Sequence, residues 1–254
     1  MQRNTDGKKG GPAPLLENKS PAEPSVFSPV ALLREARRQK GLATADVPPV
    51  CILDPDGDIL RRLKNSGEAK RFDEWPCYHT DLYTFSLAGE TVGIVGCVVG
   101  ASFAVLIAEE LFACGCRHLL SLTSAGQVSP AGNPPYFVVI DRALRDEGTS
   151  YHYAAPSEFA EADPRLVGAV TKALKDEGLP AHVGSSWTTD APFRETPRQL
   201  RARARRAFWP SKWKPPRSTP SLGRAVPRCC ASRTSPTRWA WLDRISKKGN
   251  WMER

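Results

Sequence analysis

At Pro197 the chain changes character, and the change limits how much of it can form a core. Residues 198–254, RQLRARARRAFWPSKWKPPRSTPSLGRAVPRCCASRTSPTRWAWLDRISKKGNWMER, hold 16 Lys and Arg against 2 Asp and Glu, a net of +14. The whole chain has 36 against 27, or +9, so residues 1–197 hold 20 against 25, or −5. Five of the seven Trp (Trp209, Trp213, Trp239, Trp241, Trp251) also follow the break. No helical or strand periodicity of aliphatic residues accompanies them. The basic character belongs to the tail alone, so the net charge is no guide to the partners of the preceding part.

Two readings of the tail compete. A nucleic-acid-binding arm would use basic residues on phosphates and aromatics on bases. A wrong reading frame would give the same composition by accident, and the genetic code tests it. Back-translation of residues 208–221, FWPSKWKPPRSTPS, followed by a shift of two bases permits L-A-V-E-M-E-A-A-A-L-Y-A-F. Lys212-Trp213-Lys214 forces the shifted frame toward Met-Glu. The same shift over 229–239 permits L-C-L-A-H-V-T-N-T-M-G, and over 198–208 an Ala/Arg-rich stretch ending in G-V-L. These are strand-like and helix-like strings of the kind the upstream part needs. The frame shift is the preferred reading, and residues 198–254 are expected to be a basic, disordered tail.

Upstream, residues 1–27 are rich in Gly, Pro, Lys and Asn and are expected to be disordered. They show no apolar core of a signal peptide. No run of 18 uncharged apolar residues exists, so no membrane span is expected and a cytoplasmic location is the default. Residues 28–197 read as one domain. Ser28, Pro29 and Gly41 bracket a helix, and Asp163, Pro164 and Gly178 bracket another. Between them lie strands over 50–53, 82–87, 91–99, 118–123 and 136–140, a helix over 103–114, and a last strand over 181–186. The alternation predicts a three-layer α/β/α domain around a mixed, largely parallel sheet, its C-terminal part incomplete. Cys51, Cys77, Cys97, Cys114 and Cys116 are an odd, scattered set and read as buried thiols. No metal site is expected.

Open α/β sheets bind ligands at the carboxyl ends of their strands. Three such ends are rich in Gly or hydroxyls: Asp54-Pro55-Asp56-Gly57-Asp58 followed by Arg61 and Arg62, Gly100-Ala101-Ser102, and Thr123-Ser124-Ala125-Gly126. Singly each is an ordinary turn; on consecutive strands they suggest a site for a phosphate-like or sugar-like ligand. Arg142, Arg145, Asp146 and Glu147 read as a structural charge cluster, and His152 as structural too.

The segments LDPDGDILRRL, TVGIVGCVVGASFAVLIAEEL, LLSLTSAGQVSP, VVIDRALRDEGTSYHY and HVGSSWTTDAPFRET resemble, in order and spacing, the uridine phosphorylase and purine nucleoside phosphorylase superfamily. The recovered V-E-M-E-A resembles the family's ribose-holding Met-Glu segment, which the shifted tail would have lost; the catalytic residues are therefore not assigned. The resemblance implies phosphate binding by Gly57, Arg61 and Ser124, and nucleoside binding by Ser124, Gly126, Phe193 and Arg194. Two departures stand out. Ile59 replaces the Pro of a Gly-Asp-Pro-x-Arg turn, and Ser121 replaces a phosphate-binding Arg. A family Arg lent by a neighbouring subunit would fall near Tyr78 or His79, and neither is Arg.

What the resemblance implies is phosphorolysis of a nucleoside, uridine-type favoured, to free base and ribose 1-phosphate, with inorganic phosphate as co-substrate and no cofactor. It also implies a homo-oligomer, a dimer or hexamer, if the chain is intact. Three alternatives stay open: a nucleosidase-like hydrolase, a nucleic-acid-binding protein acting through the tail, and a ligand-binding relative without turnover. The frame reading predicts a single frame change in the coding DNA around codons 195–200. Sequencing that region checks it, and a continuous original frame with no open shifted frame beside it overturns it.

Overall fold

Strand β1 (Val50–Asp54) is the axis of the sheet. The computed structural model describes residues 17–126, 128, 135–205 and 226–230. β1 lies between two parallel neighbours, β4 (Glu90–Gly96) and β5 (His118–Ala125). Its residues alternate between two cores. Cys51 and Leu53 join Leu33, Val95, Ile107 and Leu111 on one face, and Ile52 joins Leu63, Val92 and Ile94 on the other. A strand buried on both faces needs the nearly continuous apolar run that VCIL and VGIV supply.

Helices α1 (Pro29–Lys40) and α3 (Ala101–Ala113) pack together over the first face, and α4 (Pro164–Asp176) joins them through Leu166. Helix α2 (Asp58–Asn65) covers the second face with Ile59, Leu60 and Leu63. This is the three-layer α/β arrangement expected. The caps are as the sequence suggests. Ser28 Oγ accepts the Ala31 N–H at 3.2 Å, Asp163 accepts the Arg165 N–H at 2.8 Å, and Gly41 and Gly178 take the left-handed conformation at φ +65° and +69°.

The sheet is mixed. The short β2 (Lys70–Arg71) and β3 (Tyr83–Leu87) extend it antiparallel beyond β4. On the other side the strand order runs from β5 through β9 (Val226–Cys230) to β6 (Phe137–Asp146), with β7 (Phe159–Glu161) and β8 (Ala181–Thr189) both paired to β6. β6 and β8 are parallel from Phe137 to Asp146, with a bulge between Ile140 and Arg142.

Several boundaries differ from expectation. β4 stops at Gly96, not residue 99, because Cys97 turns to φ +61° and gives its N–H to the Asp54 carbonyl at 2.8 Å. Helix α2 was read as turn and flank; its amphipathic stretch is short and begins inside DPDGD. β6 runs through DRALRD, where charge hid a strand that pairs on both edges. Cys97 is exposed, whereas Cys51, Cys77, Cys114 and Cys116 are the buried thiols expected. The expected disorder does not extend over the whole tail: a helix α5 (Pro197–Arg205) crosses the compositional break, its Arg and Ala being strong helix formers, and β9 lies beyond it. Residues 1–16, 206–225 and 231–254 lie outside the described residues, and with them most of the tail and of the N-terminal segment.

Two core positions yield predictions. A Cβ added at Gly93 would lie 2.6 Å from Cys51 Sγ and 3.3 Å from Leu82 Cδ1. Gly93→Ala should therefore cost about 1–3 kcal/mol in urea unfolding, whereas Gly168→Ala, on an exposed turn of α4 with nothing within 4 Å, should gain up to about 1 kcal/mol. Glu110 on α3 is 1% exposed, and among the described residues neither carboxyl oxygen has a partner in hydrogen-bond geometry, the Cys77 thiol being only a weak neighbour. Burial pushes its carboxyl up, against weaker opposite pulls from Cys77, His79 and Lys40. The native state then holds a proton that the unfolded chain has released, so the fold weakens as pH rises from the ordinary carboxylate range through the native value. In Glu110→Gln, thermal unfolding between about pH 4.3 and neutrality should lose that decline.

Candidate functional site

Because β4, β1 and β5 are parallel neighbours, their carboxyl ends open on one edge of the sheet, with Asp54 level with Gly96 and Leu53 level with Ser121. The three strand ends singled out in the sequence are thus adjacent in space. Asp54 organises them. It is 1% exposed, and its carboxylate accepts the N–H of Gly57 at 3.1 Å and of Leu60 at 2.9 Å. Its carbonyl accepts the N–H of Gly57 at 3.0 Å and of Cys97 at 2.8 Å. Burial pushes the Asp54 carboxyl up, and the N–H donors of Leu60 and Gly57 hold it down.

Gly57 sits at φ +73° at the start of α2, where a Cβ would come within 2.6 Å of Cys97 Sγ. Both the left-handed backbone and the close approach exclude a side chain here. Four residues on, the exposed guanidinium of Arg61 pairs with Asp58. It stays beside the turn, its Nη2 3.9 Å from the Cβ position of Gly57.

Asp56, at the tip of the same turn, reaches the end of β5. Its Oδ2 accepts the Ser124 N–H at 2.5 Å, and the Thr123 hydroxyl lies 3.2 Å from the same oxygen. Asp56 thus joins the Gly57 turn to Ser124, with Arg61 on the Gly57 side and paired with Asp58. Gly126 follows Ser124 two positions on, and among the described residues nothing lies within 4 Å of where its Cβ would be. The other two expected residues stand apart. Phe193 is 99% exposed and Arg194 is exposed, both on a 3-10 turn over Pro192–Arg194. Among the described residues, no hydrogen bond, ion pair or ring contact joins them to the Asp56 cluster.

The charged run on β6 is structural. Arg145, 6% exposed, donates to Ser150 Oγ at 2.9 Å, Ser157 Oγ at 2.8 Å and the carbonyls of Ala154 at 3.1 Å and Ala155 at 2.5 Å, under the Tyr151 ring. One guanidinium fork thus pins the loop from 150 to 157. Asp146 accepts from Trp187 Nε1 at 2.7 Å and from Arg203 Nη2 at 3.0 Å, which ties α5 to the ends of β6 and β8. No sequence signal pairs Asp146 with Arg203, which stands 57 positions away beyond the break. His152 is exposed, with Lys19 Nζ 3.1 Å from its Nε2. Among the described residues no group of His, Cys, Asp and Glu has metal-binding geometry, and no helix is long and apolar enough to cross a membrane.

Comparison with known proteins agrees with this geometry. The chain is 24% identical over 146 residues to a uridine phosphorylase of Thermococcus kodakarensis, covering 53% of each. It is 31% identical over 105 residues to a uridine phosphorylase of Salmonella typhimurium, covering 41% of each. The chain thus spans about half the length, or less, of the curated relatives it matches. In fold it is similar to the crystal structure of uridine phosphorylase from Vibrio fischeri, with a TM-score of 0.55 at 21% identity over 64% of this chain and 69% of that one. It is also similar to purine nucleoside phosphorylase from Toxoplasma gondii, with a TM-score of 0.52 at 18% identity over 63% of this chain and 65% of that one. The family model described as the Phosphorylase superfamily matches residues 49–209, more than half of the sequence, and the chain belongs to that superfamily.

Proposed function

We propose that the protein is built to cleave the N-glycosidic bond of a nucleoside, uridine-type favoured, by transfer of the pentosyl group to inorganic phosphate. The products are the free base and ribose 1-phosphate. The observation that carries this reading is the Asp56 carboxylate seated on the Ser124 N–H at 2.5 Å beside Arg61. It supports reading the junction of β1 and β5 as the phosphate site, because the donors that meet one oxyanion can meet another. The uridine phosphorylase names of the relatives favour the pyrimidine substrate.

In such a reaction the sugar–base bond lengthens first and positive charge gathers on the sugar. An oxyanion placed against the anomeric carbon stabilises that charge and then forms the new C–O bond, while the base leaves with the bonding pair. The chain contributes position and electrostatics, and no cofactor is needed. Gly57, Arg61 and Ser124 are assigned to phosphate, and Ser124, Gly126, Phe193 and Arg194 to the nucleoside. The exposed Phe193 and Arg194 would have to fold over a bound base. The ribose-holding Met and Glu are assigned to the shifted frame, so this 254-residue chain should be a poor catalyst. A homo-oligomer completing the site is part of the same reading.

Hydrolysis is the second reading. Ser121 offers no guanidinium where the family resemblance places one, and Asp56 already occupies the donors. Base release from uridine with and without phosphate separates the two, measured on the 254-residue chain and on a version with its frame restored. The restored protein should release uracil only when phosphate is present, and faster than the 254-residue chain by about 10²–10³-fold. Equal release without phosphate establishes hydrolysis. Robust phosphorolysis by the 254-residue chain overturns the assignment of the missing ribose residues.

A further inference from the structure

We propose that Asp56 sets the choice of acceptor at this site: its carboxylate competes with inorganic phosphate for the Thr123–Ser124 donors. The inference rests on the reading of the β1–β5 junction as the acceptor site. Three observations support it. The first is position. Asp56 is exposed at the tip of the β1–α2 turn, yet its Oδ2 is drawn onto the Ser124 N–H at 2.5 Å, with the Thr123 hydroxyl at 3.2 Å. A backbone N–H and a hydroxyl that converge on one carboxylate oxygen can serve another oxyanion in the same way. The second is that the turn does not need Asp56. Asp54 already satisfies Gly57 and Leu60, and Asp58 pairs with Arg61. The third is the local charge. Asp54, Asp56 and Asp58 crowd one turn, the Arg61 guanidinium beside them is already paired with Asp58, and position 121 is Ser.

An incoming phosphate must therefore either displace the Asp56 carboxylate or bind beside it. Displacement exposes a charge that has lost its donors; binding beside it sets like charges in contact. Both weaken phosphate and leave a neutral acceptor, such as water or a hydroxyl, unopposed. Asp56 would then tilt the site from phosphorolysis toward hydrolysis without entering either reaction as a bonded species.

The test is phosphate affinity of the full chain, read by equilibrium dialysis of inorganic phosphate. Asp56→Asn keeps the shape and removes the charge; Asp56→Ala removes both. Glu90→Gln, at the far end of β4, makes the same change in net charge away from the site. The two Asp56 variants should bind phosphate about tenfold more tightly than the parent, and Glu90→Gln should stay within about twofold of it. Unchanged affinity in Asp56→Asn and Asp56→Ala overturns the proposal, as does an equal gain in Glu90→Gln. Unfolding of both Asp56 variants, seen by circular dichroism, also overturns it, because the contact would then be a structural tie. Uridine binding is measured in parallel by isothermal calorimetry. A phosphate gain without uridine binding leaves Asp56 as the competitor and removes the uridine-type substrate. Uridine binding without a phosphate gain does the reverse.

Discussion

The edge of the sheet that carries the site depends on one buried carboxylate. Asp54 ends β1 at 1% exposure, and a charged group there would lose most of its hydration. What offsets the loss is a ring of backbone donors: Gly57 and Leu60 on the carboxylate, Gly57 again and Cys97 on the carbonyl. The bonds are mutually dependent. At both donors the backbone then turns left-handed, Gly57 to φ +73° and Cys97 to φ +61°. The loop after β4, the turn after β1 and the first turn of α2 are thereby fixed relative to one another. Asp56 then extends this frame to a third strand through Ser124.

Much of the fold was legible because its local signals agree with its packing. Asp163, Pro164 and Gly178 cap a helix in sequence and in space alike, and VGIV is apolar throughout because both its faces are covered. The strand ends could be placed as candidates because parallel strands separated by helices must open on one side. Illegible parts fail for a common reason: long-range pairing overrides local character. DRALRD reads as a surface run until its neighbours supply β7 and β8. The reach of Asp56 to Ser124 spans 68 positions, and nothing in DPDGD announces a partner for its middle carboxylate. Phe193 and Arg194 were placed by resemblance alone, and they stand exposed without contact to the rest of the cluster.

The helix across the break does not decide between the frames. Residues 198–205 are Arg- and Ala-rich as written, and the shifted frame over the same bases is Ala- and Arg-rich as well. Both residues are strong helix formers. An α5 of this kind is therefore compatible with either frame, and so is a superfamily match that extends to residue 209. What differs is chemistry. Written as it stands, the helix places Arg203 on Asp146 and over the Trp187 ring at 5.4 Å, a contact that closes the end of β6 and β8. The shifted continuation would instead carry forward to the Met-Glu string.

These two ends of the molecule bear on the same question of charge. A phosphorolytic site must hold a dianion beside a sugar that is turning positive, so it needs cations on the far side of the anion. The described strand ends gather Asp54, Asp56 and Asp58 on one turn, and the Arg61 guanidinium beside them is itself paired with Asp58. Such a balance suits the sugar better than the phosphate, because carboxylates near an oxocarbenium-like centre lower its energy while they repel the acceptor. Catalysis by phosphate then requires either a cation from a second subunit or a way to move Asp56 aside. A neutral acceptor requires neither. If the β1–β5 junction is the acceptor site, the acidity of the β1–α2 turn, rather than the tail's basicity, bears on which acceptor it takes.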